Sequence, residues 1–388
     1  MPQPNSTGSQ DSGLSGADAM TTPYSLEDRW SSTTGHVTGL ALLFMSAGML
    51  VSAELIAIAL TIILLSAKGA TLPLRTLAVV ATLLLTAMNL LSALSDSMTT
   101  LLILRIGAGL AAGVMIAIAF YLAGISTAPV RLFGLLTLGN VLLGVIFLIV
   151  LPPVIEAWHY RGAFALMGAP ILVVAFFLFY IGQPQSGNPQ PSPSATRGVG
   201  RSALVFVVAV LIVQNSQGGY YAFVELIGRR LSVAPDTIGL TLAGSYVLSL
   251  GGSLLASVLG DRFGVLKPLF IGMTGHALAV WFVVFATDQT AYLVPLLLQS
   301  LFFFLFLPYM LGLAASLDHS GRLSTLAGGV SLLGMGIGPF VSGTLVETWG
   351  YATIAYNVVV SVVVGYLLML LVSRRMHTPR AGDSKILG

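Results

Sequence analysis

Three ionisable side chains lie inside long apolar stretches of this sequence, where burial would change their chemistry: Glu54, Arg105 and His276. Glu54 follows Gly39 by about 22 Å if the intervening chain is helical and rises roughly 1.5 Å per residue. A carboxyl group at that depth of an apolar layer can load and release a proton. The alternative is a hydrogen bond from Glu54 to a neighbouring helix, or a position at the inner water boundary.

Arg105 and His276 are expected at different depths. Arg105 comes soon after the start of its stretch, which predicts a position in the outer third, too shallow to pair directly with Glu54. A guanidinium there can attract an anionic substrate, influence a proton site from a distance, or act as a hydrogen-bonding post between helices. His276 is expected near mid-depth, where its imidazole can handle protons near neutral pH or stay neutral between helices.

A dense set of polar and aromatic residues interrupts a later apolar stretch, where residues 214–221 read QNSQGGYY. Asn215, Gln217, Tyr220 and Tyr221 offer amides and rings that can line a cavity for a partly polar solute. The two glycines would permit a local break in the helix. Hydrogen bonding between helices is the alternative role of these side chains.

The composition excludes several kinds of chemistry. The sequence has no cysteine and its five histidines are scattered, so neither a metal site nor another cofactor is predicted. Its 17 Lys and Arg residues form no patch that follows a phosphate backbone, which excludes nucleic acid as a partner. No nucleophile, base and orienting group share a motif, so the chain is not expected to be an enzyme.

Glu225 and Arg229 are expected to form an ion pair at the rim of a helix.

The apolar stretches predict an all-α polytopic membrane protein. Hydrophobic residues make up 56% of the 388 residues and charged residues only 8%, a composition that a water-exposed surface cannot carry. Each of eleven stretches is long enough to cross a bilayer as a helix. They lie at about 37–67, 75–95, 99–123, 131–153, 163–182, 202–225, 238–259, 268–287, 291–313, 323–345 and 351–373.

The remaining sequence divides these spans into two groups. Residues 1–33 are a flexible polar leader without the pattern of a signal peptide, and 34–182 form a first bundle of five helices. A Pro/Ser-rich cytoplasmic linker at 183–201 leads to a second bundle of six helices at 202–373. A basic cytoplasmic tail follows at 374–388.

The distribution of basic residues predicts the orientation in the membrane. With the C-terminus in the cytoplasm, twelve Lys and Arg residues fall inside and four fall outside, and Arg105 lies within a span. The twelve are Lys68, Arg75, Arg131, Arg197, Arg201, Arg262, Lys267, Arg322, Arg374, Arg375, Arg380 and Lys385, and the four are Arg29, Arg161, Arg229 and Arg230. This bias also places the leader outside.

The sequence repeats itself with an offset of 191 residues, the distance from Arg131 to Arg322. The same offset superposes residues 156–160 (EAWHY) on 347–351 (ETWGY). Such repeats are typical of transporters, with the substrate site between the halves near mid-membrane. The span 202–225 has no apolar counterpart near the start of the chain, so the first helix of a six-plus-six plan is missing. Either the true start of the reading frame lies further upstream or that helix was lost.

Short motifs give the two halves a resemblance to the major facilitator superfamily. The family's loop signature, Gly-x-x-x-Asp-Arg-x-Gly-Arg-Arg, is similar to residues 257–267 (SVLGDRFGVLK), although the equivalent first-half loop 68–75 lacks Asp-Arg-x-Gly. A second signature resembles residues 105–113 (RIGAGLAAG). The Gly-Pro signature of the antiporter subgroup is absent from 131–153, and a similar pattern stands at 334–339 (GMGIGP).

The resemblance implies alternating access by two rocking bundles. Asp261 and Arg262 would then form a gating loop, in which the carboxylate caps a helix or pairs with a basic side chain of the opposite bundle. The alternative is a solvated turn in which Gly264 only permits the backbone geometry.

These observations predict a secondary transporter, acting as a monomer in the cytoplasmic (inner) membrane, that moves a small organic solute and is coupled to protons. The competing prediction is a protein with the same fold that no longer transports, either a membrane sensor or a degenerate relic. Loss of the first-half loop signature favours this alternative.

Overall fold

The computed structural model describes residues 50–68, 73–180 and 199–377 of the chain. The leader, residues 37–49 of the first predicted span, and most of the linker and tail lie outside these ranges. Within the described ranges every regular element is an α-helix, which confirms the predicted all-α fold class.

Ten helices lie within the described ranges, and nine of them have the length and apolar composition of membrane spans. They are α1 (Leu50–Ser66), α2 (Leu74–Leu94), α3 (Met98–Gly124), α4 (Pro129–Tyr180), α5 (Val199–Arg230), α6 (Pro235–Leu259), α7 (Leu266–Val284), α8 (Gln289–Leu317), α9 (Arg322–Trp349) and α10 (Ala352–His377). The chain is therefore a multi-pass membrane protein. The arrangement of five plus six spans stays a prediction.

The fourth and fifth predicted spans are joined in α4. This helix contains Pro152 and Pro153, and its backbone leaves the helical conformation at His159 (φ 52°, ψ −154°). Proline removes a backbone donor and disfavours the helical conformation before it, so two helices meet in this region. The predicted loop between the spans, residues 154–162, coincides with this turn of the chain.

His159 adopts a backbone conformation that is costly for any residue other than glycine. Its counterpart in the repeat is Gly350, which has φ 83° and ψ 177°. We expect His159→Gly to raise the free energy of unfolding by about 1 kcal/mol because the backbone strain disappears. Gly350→Ala should lower it by a similar amount, since no atom lies within 4 Å of a Cβ at that position and only the backbone is affected. Thermal unfolding of the purified protein measures both shifts, and equal melting temperatures for all three proteins would contradict the strain.

Glycines bring α5 and α9 into close contact. A Cβ on Gly218 would overlap the carbonyl oxygen of Met335, and one on Gly338 would overlap the carbonyl oxygen of Asn215. Such close approach lets small residues stabilise helix pairs in membranes. The break that the sequence permitted at Gly218 and Gly219 is absent, because α5 is helical throughout and the glycines serve packing instead. The Gly-Pro pattern at 334–339 forms the other face of this contact.

The two halves of the repeat meet at one end of the helices, where Arg131, Arg262, Lys267 and Arg322 lie; we call it the basic end. There Gly134 of α4 lies against the backbone of Ser257 in α6. Gly124 of α3 similarly lies against Ser324 of α9. Since these contacts leave no room for a Cβ, the halves are tightly closed at the basic end.

Candidate functional site

Arg105 is the centre of a charged cluster in the first half. Its Nη1 lies 3.6 Å from a carboxylate oxygen of Glu54 in α1. Its Nη2 donates to Oδ1 of Asn89 at 3.0 Å and to Oγ of Ser92 at 2.8 Å, both in α2. The guanidinium also lies 4.7 Å from the ring centre of Phe164 in α4. Four helices therefore meet at one almost fully buried cation.

The prediction that Arg105 is too shallow to pair with Glu54 was wrong. The prediction took the depth of Glu54 from its distance along the chain to Gly39. In the structure the backbone of Glu54 lies beside Gly109, which is in the same helix as Arg105. Gly109 and Arg105 are about one helical turn apart, and long side chains bridge one turn of roughly 5.4 Å. Close packing of α1 on α3 at this glycine makes the ion pair possible.

Sequence reasoning missed the partners of Arg105 in α2. Asn89 is 4% exposed and accepts a hydrogen bond from Arg105. Asn89 and Ser92 stand about one helical turn apart in the largely apolar stretch 75–95. This spacing of an amide and a hydroxyl could have indicated a polar partner in a neighbouring helix. The post-like role weighed for Arg105 agrees with these bonds, and they coexist with the ion pair.

A second polar cluster joins three helices of the second half. The amide nitrogen of Gln299 in α8 donates to the hydroxyl of Tyr221 in α5 at 3.1 Å. Ser300, also in α8, has its Oγ 3.2 Å from Oγ of Ser245 in α6. Gln299, Ser300 and Ser245 were not singled out from the sequence, although Gln299 is a polar amide within an apolar span. Both proposed roles of Tyr221, lining a cavity and linking helices, fit this position because it is partly exposed.

His276 is buried beside this cluster. Its Nδ1 lies 3.2 Å from the carbonyl oxygen of Gln299, and its ring is surrounded by the rings of Tyr220, Phe303 and Phe306 at 5.9–6.4 Å between centres. Apolar rings on several sides favour an uncharged imidazole. The geometry thus resembles the alternative weighed for His276, a neutral histidine between helices.

Several buried polar atoms around the second cluster have no hydrogen-bond partner in the protein. These are both side-chain polar atoms of Gln217, the hydroxyl of Tyr220 and Oε1 of Gln299. Gln217 and Tyr220 are 1% and 0% exposed, so a solute cannot reach them in this conformation. Asn215 is partly buried on the neighbouring face of α5. Buried polar atoms of this kind are commonly bonded to ordered water.

The predicted gating loop lies between α6 and α7 at the basic end. Asp261, Arg262 and Gly264 are all exposed, and Gly264 has φ 70°. The backbone nitrogen of Gly264 donates to the carbonyl oxygen of Asp261 at 3.0 Å, which closes a tight turn. Among the described residues Asp261 forms no ion pair and does not cap α7. This conformation matches the alternative, in which Gly264 permits the turn.

Other predicted features lie away from both clusters. Glu225 and Arg229 form the expected ion pair, with Nε of Arg229 3.0 Å from the carboxylate. A cavity of about 20 Å³ near the basic end is lined by α1, α2, α3 and α9, including Tyr121 and Thr325. Across the described part of the chain, no hydrogen bond, ion pair or ring contact joins the charged cluster to the second polar cluster.

Comparison with known sequences assigns the second half of the chain to a family model. A sequence model of the Major Facilitator Superfamily matches residues 205–386. The second half of the chain therefore carries the sequence pattern of this superfamily. The tetracenomycin C resistance and export protein of Streptomyces glaucescens is similar to it, with 31% identity over 149 residues. That match covers 37% of this chain and 28% of the relative's length.

Solved structures of this superfamily share the fold. The transporter FucP in its outward conformation superposes with a TM-score of 0.69 at 16% identity, covering 84% of this chain and 89% of FucP. The proton:xylose symporter XylE gives a TM-score of 0.67 at 17% identity, covering 85% and 86%. These identities establish the fold alone. The family model that matches the second half and the fold shared by the chain are those of transporters, in agreement with the prediction that the chain is not an enzyme.

Proposed function

We propose that this protein is a secondary active transporter that moves a small organic solute by alternating access. Two observations together carry the proposal. The halves are in tight contact at the basic end, and the ion pair of Glu54 with Arg105 is buried in the first half, away from that end. Contacts at one end and polar groups nearer the middle are what an alternating-access protein needs in one of its two end states. We further propose that the protein lies in the cytoplasmic membrane with the basic end and the C-terminus facing the cytoplasm.

The polar groups favour a substrate without net charge. Gln299, Tyr221 and their neighbours in the second half are uncharged, and the charges of Glu54 and Arg105 balance each other. The names of similar proteins include a fucose:proton symporter, a xylose symporter and a tetracenomycin C exporter, whose solutes are rich in hydroxyl groups or rings. Amide and hydroxyl side chains recognise such solutes by hydrogen bonds.

Glu54 is the best candidate for the coupling proton. Its side chain is 28% exposed, and Arg105 is its one described ionic partner. Protonation would remove the attraction to Arg105, whereas Arg105 keeps its bonds to Asn89 and Ser92 in α2. Arg105 therefore stays in place while α1 is released. His276 lies among rings and serves as a structural residue or a secondary proton site.

The predicted division of the chain supports the same mechanism. We propose that bundles 34–182 and 202–373 rock against each other about the linker 183–201, as a monomer. Asp261 and Arg262 are exposed in this conformation, and they would then gain partners as the basic end opens.

Transport driven by a pH gradient tests the coupling. In proteoliposomes loaded with fucose, xylose or tetracenomycin C, we expect the accepted solute to move faster when a pH gradient is imposed. Glu54→Gln should abolish this acceleration, because glutamine cannot carry the proton. Glu225→Gln is the matched control, since Glu225 is an exposed carboxylate in an ion pair at the rim, and it should behave as the parent.

The same measurements separate the competing function. Transport that is indifferent to both the gradient and Glu54→Gln would contradict proton coupling while leaving transport intact. A protein that binds one of these solutes but moves none of them would be a sensor or a relic.

A further inference from the structure

Two glycines of the second half receive bulky side chains of the first half at the basic end. A Cβ on Gly312, in α8, would overlap Cγ2 of Val130 at the start of α4. A Cβ on Gly321, between α8 and α9, would lie 3.0 Å from Cδ2 of Tyr121 near the end of α3. Val130 and Tyr121 are 1% and 8% exposed, so both side chains are enclosed.

The internal repeat relates these two contacts to each other. With the offset of 191 residues, Tyr121 corresponds to Gly312 and Val130 corresponds to Gly321. The pair of Val130 with Gly312 is therefore the symmetry counterpart of the pair of Tyr121 with Gly321. One rotation that exchanges the halves exchanges the two contacts.

At these two contacts the sizes of the residues break the symmetry of the repeat. In both pairs the large side chain comes from the region where α3 ends and α4 begins, which we call the α3–α4 corner. The glycine comes from the region where α8 ends and α9 begins, which we call the α8–α9 corner. Phe133 of α4 follows the same rule, since it is 0% exposed and its counterpart in the repeat is Ser324. At these three positions the first-half residue is the larger one. Gly124 and Gly134 of the first half lie in turn against Ser324 and Ser257 of the second half, so both halves contribute projections and recesses.

We propose that these corners form a size-complementary latch that holds the basic end closed. The proposal rests on alternating access, because the corners must separate when the basic end opens. Well-packed contacts have few intermediate arrangements, so removing one projection or filling one recess shifts the balance between closed and open states. The pair of Gly312 and Val130 is the better one to test. Gly321 has φ 74°, so a side chain there would strain the backbone as well as fill the recess.

Distances between spin labels at the two corners test the latch. Thr127 and His319 are exposed residues beside it, and a chain without native cysteine allows both to be labelled through introduced cysteines. We expect the parent protein in nanodiscs to show mainly a short distance. Gly312→Val should move the ratio of short to long distances by about tenfold towards long ones, the effect of overpacking a buried contact.

A compensating substitution gives the decisive arm. Val130→Ala removes the methyl groups that the new side chain of Gly312→Val would meet, so the double variant should return close to the parental distribution. Val130→Ala alone should loosen the latch and raise the long-distance population, which keeps the test valid if Gly312→Val does not fold. Gly336→Val is the control, because no atom lies within 4 Å of a Cβ at Gly336 and the distances should not change.

The outcomes separate the latch from the proposed function. Unchanged distances in both folded single variants, or a double variant that resembles Gly312→Val, would overturn the latch even if the protein transports solutes. If the variants shift the distances as expected while proteoliposomes move none of the solutes tested, the latch is supported and the transport function is contradicted.

Discussion

Replacing Arg105 with alanine is expected to lower the free energy of unfolding by roughly 3–5 kcal/mol, the range for breaking a buried ion pair from one side. The variant leaves the carboxylate of Glu54 in an apolar layer and removes the donor that satisfies Asn89 and Ser92. Thermal unfolding in detergent, followed by loss of helical signal, measures the change.

Glu54→Gln is the informative comparison for this loss. Arg105 keeps two acceptors in α2 when Glu54 is neutral, so the expected cost is only about 1 kcal/mol, that of one hydrogen bond. Arg105→Lys should fall between the two, because an ammonium group cannot reproduce the planar fork of donors. Equal losses for Arg105→Ala and Glu54→Gln would contradict the role of α2 as the fixed support of Arg105.

A single methyl group on Gly218 is expected to have the second-largest effect. In Gly218→Ala the new Cβ would overlap the backbone oxygen of Met335, which cannot rotate away, so α5 and α9 must separate. Overpacking of this kind costs about 1–3 kcal/mol and occasionally more. The loss should appear as a lower melting temperature and faster cleavage by protease.

Gly336→Ala supplies the matched control on the same pair of helices. No atom lies within 4 Å of a Cβ at Gly336, so stability should be unchanged or rise by up to about 1 kcal/mol through better helix propensity. If Gly218→Ala and Gly336→Ala unfold alike, the close approach of α5 and α9 does not contribute to stability.

The sequence predicted the fold class well because hydrophobicity over a whole span is a strong, additive signal. Nine described helices are apolar enough to cross a membrane, and their bounds follow the predicted spans within a few residues at most ends. Hydrophobicity did not predict how the fourth and fifth spans are joined. In the structure Pro152 and Pro153 lie inside helix α4. Hydropathy records how apolar a segment is and says nothing of how two spans meet.

The site was predicted less completely, because its geometry depends on which helices touch. Arg105 and Glu54 were both recognised as buried charges, but their pairing depends on α1 packing at Gly109, which spacing along one chain does not reveal. Gln217 and Tyr220 were recognised as polar groups in an apolar span, yet the structure buries them within the second half. The contact between Gly312 and Val130 became interpretable only when the sequence repeat and the structure were combined.

Alternating access is the central claim, and labelling of one buried position tests it most directly. Ser257 is 5% exposed at the basic end, where it lies against Gly134, and Ser257→Cys would introduce the only thiol of the chain. His319→Cys, at an exposed position, corrects for the effect of pH on thiol reactivity. We expect Ser257→Cys to react slowly with a membrane-impermeant maleimide at neutral pH. Acid pH should accelerate its reaction relative to that of His319→Cys. Adding Glu54→Gln should abolish this pH response. A corrected rate that stays equally low at every pH and with every solute would contradict alternating access.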